Sequence, residues 1–446
     1  MATQRRSWFV GSLAGVLLGS TFACGQVDPA ELTQVAPPVK QPAPPPPGPP
    51  PAAAAVPLVG GTLLVLRDGK TAVAADPDRN VVWVVDLISL RQTARVDLQS
   101  GDEPGRLVED GAGKVHVALR RGGAVVAIDP AAGRVLSRRA ACPAPRGIDY
   151  DPASDRLHLA CAGGELVTFA AGGGAAVRTL HLDSDLRDVI VQGDHLLVSR
   201  FRSAELLTID ATGAVSGRVR PKSVAGSQIN GGPMGGMLGT ADPAVAWRVR
   251  PLADGRIAML FERGTNAPID LMRPGGYGNG QCKGAGIVSG AMTILGGAGE
   301  QPGPTLPFVA YAIDFAIAPD GSALSFVVPE GGAAGRPNVS TVSMANMTPS
   351  DPCSVFPSSN LNVANGSLYE TVAIAYDPQK RLVVQTRNPA RIVINQSEIV
   401  LQDAADVGNP GHLLFHTPTA SSIACVSCHP EAGDDGRVWN FTPTGP

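Results

Sequence analysis

The middle of this 446-residue sequence repeats itself. An apolar stretch, a turn built on Asp, Gly or Pro, and a second apolar stretch recur together. They appear as TAVAADPDRNVVWVVDL at Asp76, RLVEDGAGKVHVAL at Asp110, RGIDYDPASDRLHLA at Asp151 and RDVIVQGDHLLVS at Gly193. They return as VRPLADGRIAMLF at Asp254, DFAIAPDGSALSFVV at Asp320 and VAIAYDPQKRLVVQ at Asp377. These turn residues reverse a chain between strands, Gly by tolerating positive φ and Asp by accepting nearby backbone hydrogen bonds. Successive turns lie 34, 41 and 42 residues apart, then 61, 66 and 57. A further short strand often follows, as in VVAIDPAAG at Asp129 and LLTIDATG at Asp210. A period of about forty residues with up to four short strands is the signature of propeller blades. The seven tokens therefore predict a mainly β chain with a seven-bladed β-propeller over residues 58–405. Loops such as INGGPMGGMLG and RPGGYGNGQCKGAG would widen blades four to six. High Gly (53) and Pro (40) with only 4% aromatics suit many short strands rather than long helices.

Several function classes find no support. Net charge is −3 with no basic block, so nothing points to nucleic acid. The Gly-rich stretches lack a P-loop ending and open no helix, so they read as loops. His116, His158, His181 and His195 are scattered over separate blades without a partner at ligand spacing, and none is assigned a role. Arg106, Arg146 and Arg187 begin three tokens, 40 and 41 residues apart, which would place them around one end of the central channel. Two roles stay open for them: hydrogen bonding between blades, or an anion site.

The start, MATQRRSWFVGSLAGVLLGSTFACG, carries two arginines and then an apolar run too short to span a bilayer. Residues 1–24 read as an export signal ending in a lipoprotein-like box, Thr21-Phe22-Ala23-Cys24, where Cys24 would take lipid; ordinary cleavage nearby is the alternative. Residues 25–57 form a Pro-rich linker, and at ~3.1 Å per residue its Pro37–Pro51 stretch extends about 45 Å. The expected location is exported: the periplasm, or the outer membrane or surface of a Gram-negative bacterium, touching membrane only through the lipid. Of seven cysteines, Cys142, Cys161, Cys282 and Cys353 are then disulfide candidates in an oxidising space. Sequence does not fix their pairing; Cys142–Cys161 and Cys282–Cys353 are nearest neighbours.

Beyond the repeat, residues 406–446 include SIACVSCHPEAGDDGRVWNF. Cys425 and Cys428 fall on one side of a helical turn with His429 next. That arrangement suits covalent attachment of one haem c, with His429 as axial iron ligand. A disulfide or a metal pair is the competing use of the two thiols. The stretch GHLLFHTPTASSIACVSCHPEAGDDGRVWNF resembles the start of the cytochrome domain of the bacterial di-haem cytochrome c peroxidase family and its methylamine-utilisation relatives. With the repeat before it, the chain resembles exported proteins in which a YVTN-type propeller precedes such a domain. The resemblance implies a short, incomplete α-helical cytochrome c-like segment and electron transfer with a redox partner protein or a small donor or acceptor. It carries over Cys425, Cys428 and His429 and nothing else.

The chain departs from that family in having no second Cys-x-x-Cys-His, and its last Met, Met347, lies in the repeat. His412 and His416 are the nearest alternatives for a sixth ligand, though helix packing or a surface position is the simpler use of each. The expected function is a c-type cytochrome on a propeller scaffold rather than a self-contained peroxidase. The alternatives are a binding scaffold with a redox-silent haem stub and a protein partner on the propeller face, or a peroxidase-like oxidase completed by another subunit.

Overall fold

The computed structural model describes residues 56–225, 239–270, 287–296, 302–306, 309, 311–329, 338–347, 359–361, 370–418 and 423–442. Cys24, Cys282, Cys353, the signal, most of the linker and both Gly-rich loops lie outside the described residues.

Among the described residues are seven four-stranded antiparallel sheets, succeeding one another along the chain. They span 63–97, 104–140, 145–181, 186–219, 224–295, 314–361 and 371–400, and are numbered here as blades 1 to 7. The long inner strands Pro104–Glu109, Pro145–Asp151, Leu186–Gln192 and Thr240–Pro251 pack each against the next around a central axis. The burial pattern follows from that stacking. Val81–Asp86, in the middle of blade 1, is covered on both faces through Val85 and reads as an apolar run, VVWVV, closed by Asp86. The outer strands Arg91–Asp97 and Ala176–His181 are polar and largely exposed.

One token falls in a different place from the others. The Asp76 turn joins the second and third strands of blade 1, whereas the Asp110, Asp151 and Asp377 turns join first to second. The equivalent turn in blade 1 holds Asp68, whose carboxylate accepts the backbone N–H groups of Lys70 (2.8 Å) and Thr71 (2.9 Å). Asp68 precedes Asp110 by 42 residues, so the short first spacing of 34 comes from comparing unlike hairpins.

Aspartates on the inner strands fasten neighbouring blades. Asp149 accepts from Val191 N (2.8 Å), Asp188 from Val249 N (3.0 Å) and Asp314 from Ile374 N (3.0 Å). Blades 3 and 4 approach so closely at Gly147 that a Cβ there would stand 2.5 Å from the Arg187 carbonyl oxygen. The ring closes between blades 7 and 1 without exchanging a strand. There Trp83 and Leu63 share a core with Ala373 and Ile392. Arg387 forks onto Asp78 at 2.8 Å through both Nε and Nη2.

Cys142 and Cys161 are joined by a disulfide across a sequence separation of 19, with Cα atoms 6.4 Å apart. Closing a loop of that length removes roughly 3 kcal/mol of unfolded-chain entropy. Replacing both cysteines with Ala should lower the urea midpoint by a corresponding amount while circular dichroism stays β-rich; an unchanged midpoint would show the crosslink to be dispensable.

Candidate functional site

The segment after blade 7 lies across one face of the propeller. Its first element, the helix Pro410–His416, starts with Pro410 in the first turn and is capped by the Asn409 side chain, which accepts from His412 N. His412 and His416 fall on the same side one turn apart, and both are buried. His412 Nδ1 lies 3.4 Å from the Glu370 carboxylate, itself paired with Arg387 at 2.5 Å. His416 Nδ1 faces the His412 carbonyl at 2.8 Å, and its own carbonyl accepts from Tyr311 Oη at 2.9 Å.

The Cys425–Ser427 stretch forms a 3-10 turn that continues through Cys428, whose N–H donates to the Cys425 carbonyl (3.2 Å); His429 N donates to the same oxygen (2.9 Å). Both thiols are free: Cys425 is exposed, whereas Cys428 is partly buried against Ile423, Trp439 and the blade 5 residues Ile269, Ile287 and Val288. Burial, reinforced by the nearby Asp435, pushes the Cys428 thiol up to about 12. His429 is exposed, and its Nδ1 stands 3.1 Å from the Gly433 carbonyl. A carbonyl can only accept, so Nδ1 carries the proton and the Nε2 lone pair is left for a metal. Two thiols and one oriented imidazole, with an apolar surface beside Cys428, fit the attachment of a haem.

Two residues further on, Glu431 enters the central channel. It adopts left-handed backbone (φ 53°, ψ 34°), as does Ala432 (φ 58°), and this reversal aims the side chain at the propeller axis. Its carboxylate is 5% exposed and meets Arg146 and Arg187 through one oxygen each, with Arg120 3.3 Å from Oε2. These arginines come from blades 3, 4 and 2. Burial opposes ionisation of Glu431, but the Arg146, Arg187 and Arg120 charges outweigh it and hold the carboxyl far below the usual range. Burial lowers Arg187 to about 10, which leaves it charged at neutral pH. Of the two roles left open for the channel arginines, hydrogen bonding between blades is seen for Arg106, which donates to the Arg187 and Trp247 carbonyls (3.2 and 3.0 Å) and pairs with Asp188; Arg146 and Arg187 pair with the chain's own Glu431.

Beyond Glu431 the chain stays on the face. Arg202 of blade 4 donates to the Asp434 carbonyl, and Arg437 donates to the Gly264 (2.9 Å) and Thr265 (3.1 Å) carbonyls of blade 5. Phe441–Thr442 pairs in parallel with Ile269–Asp270. Where a cytochrome-like helical segment was expected, the described residues show one short helix followed by 3-10 turns and extended chain packed on the propeller, an arrangement that does not by itself show a cytochrome domain. Sequence reasoning placed Arg146 and Arg187 at the channel but passed over Glu431 and Arg120.

No protein-family model matches the chain, and no curated protein matches it. Solved structures do. Kuenenia stuttgartiensis hydrazine synthase is similar over 78% of this chain and 98% of that one, at 16% identity and a TM-score of 0.60. A streptogramin B lyase covers 75% of this chain and 93% of its own at 10% identity and a TM-score of 0.47. Virginiamycin B lyase from Staphylococcus aureus, solved with quinupristin, is similar at 13% identity and 0.47 over the same shares. At such identities what is shared with the synthase is the fold, a seven-bladed propeller.

The two buried titratable groups of the tail both lose stabilisation as pH falls, in different pH windows. Burial, then His412, lowers His416 from 6.5 to about 4, so its ring is neutral at pH 7. A base with a lowered folded pKa contributes stability that is complete above its unfolded value and fades as pH falls from about 6.5 toward 4. The depressed Glu431 carboxyl contributes above its unfolded value of 4.5 and loses this only as pH drops through its low folded value. His416→Gln should therefore shrink the fall in melting temperature between pH 7 and pH 5, as followed by calorimetry. An unaltered pH profile would contradict the buried, neutral imidazole.

Proposed function

We propose that this protein is an exported c-type cytochrome in which a propeller scaffold carries one covalent haem, on Cys425 and Cys428, with His429 as an iron ligand. Such a group would supply one-electron transfer with a redox partner protein or a small donor or acceptor. The observation that carries the reading is the Cys425–His429 turn itself. It offers two unpaired thiols and an imidazole whose Nδ1 proton is engaged by the Gly433 carbonyl, leaving Nε2 open. The disulfide between Cys142 and Cys161 suits an oxidising compartment, where two neighbouring thiols would otherwise be expected to pair. Lipid on Cys24 and a periplasmic or cell-surface location in a Gram-negative bacterium belong to the same proposal.

The chain's residues have separable tasks in this reading. Cys425 lies toward solvent, and Cys428 sits among Ile423, Trp439 and Ile269, which would exclude water from one edge of the bound group. Partial burial of Cys428 in the seated turn implies that attachment precedes seating of the tail. A second reading, a binding scaffold whose haem site is redox-silent, draws on that same burial. An oxidase of the peroxidase type completed by another subunit is the third.

Expression with a haem-attachment system, followed by a haem stain of the denatured protein, separates these. The account expects a stained band that Cys425→Ala with Cys428→Ala abolishes. His429→Ala should keep the covalent group but alter the ferric optical spectrum. A haem-free band from exported, matured protein would rule out the cytochrome and oxidase readings together.

A further inference from the structure

Below Glu431, the channel holds more cationic hydrogen-bonding capacity than one carboxylate can use. Arg120 and Arg187 are at least nine-tenths buried, yet Arg120 Nε and Nη1 and Arg187 Nε have no hydrogen-bond partner among the described residues. With Val59, Gly60, Gly105, Arg106 and Arg146 they line a cavity of about 10 Å³, room for a single water. Arg187 Nη2 donates to the Val59 carbonyl (2.7 Å), so this cavity has a backbone floor. Glu431 is held from a short turn in which it and Ala432, both non-glycine, adopt strained left-handed backbone.

We infer that the Arg120–Arg146–Arg187 cluster is a carboxylate-binding site, filled in the resting molecule by Glu431 and able to accept a small free carboxylate when the tail lifts. Guanidinium groups match a carboxylate by planar, charge-assisted hydrogen bonds. Exchange would move the Cys425–His429 turn off the face, because Glu431 follows it by two residues. As a tethered competitor, Glu431 acts at an effective concentration of about millimolar or more, so a free carboxylate has to be abundant to displace it. The inference is independent of whether haem is attached.

Calorimetric titration of the full chain with sodium acetate, against sodium chloride at equal ionic strength, tests it. Glu431→Ala should bind acetate at least about tenfold more tightly than the unaltered protein does. Adding Arg146→Ala should abolish the gain. If Glu431→Ala folds and binds acetate no better than the unaltered chain, the inference is overturned. Should that variant not fold, amide exchange in the unaltered protein decides. Acetate, and not chloride, should speed exchange across residues 430–437; equal rates in the two salts would overturn the site.

Discussion

Three guanidinium groups from three different blades converge on one carboxylate, and that convergence fixes where everything after blade 7 lies. Removing charges from water costs several kcal/mol per ion, so neither the arginines nor Glu431 could be buried alone. Together they are partly compensated, and Arg187 also donates to the Val59 carbonyl of the channel wall, while the neighbouring Arg106 donates to the Arg187 and Trp247 carbonyls. The cluster thus has two tasks. It offsets part of the positive charge that the inner strands crowd at the axis of the propeller, and it ties a distant part of the chain to that axis.

The consequence for the Cys-x-x-Cys-His turn is positional. Helix Pro410–His416 is anchored at the seam between blades 7 and 1 through the Glu370–Arg387–Asp78 chain of charges, and Arg437 is anchored on blade 5. Glu431 pins the stretch between them over the channel. Cys428 is thereby pressed onto apolar residues of blade 5, while Cys425 and His429 face solvent. The apolar residues of this stretch, Ile423, Cys428 and Trp439, find their packing partners on the propeller.

Strand pairing was legible because it depends on local chemistry. Asp and Gly turns mark hairpins, and continuous apolar runs such as residues 81–85 mark strands buried between blades. The misplaced first token shows the limit of that logic. The Asp76 turn has the same chemistry as the Asp68 turn, and only pairing with Leu63–Val65 distinguishes them. Recurrence of Arg146 and Arg187 at equivalent strand positions revealed the channel cations. Glu431 carried no such mark: its role depends on a backbone reversal and on contacts 244 and 285 residues away in sequence. The signal available was indirect, in that several buried arginines on one axis require a counter-charge from elsewhere.

The central claim is that Glu431 holds the Cys425–His429 turn on the propeller. Site-resolved thiol labelling of the haem-free protein, with Cys425 and Cys428 as free thiols and the Cys142–Cys161 disulfide intact, tests it most directly, because reaction requires an accessible thiolate. With Cys428 partly buried and its thiol raised to about 12, Cys428 should label at least about tenfold more slowly than the exposed Cys425. Glu431→Ala should bring the two rates together while the Cys142–Cys161 disulfide and the β-rich circular dichroism persist. Equal rates in the unaltered protein, or a difference that survives Glu431→Ala, would contradict the account.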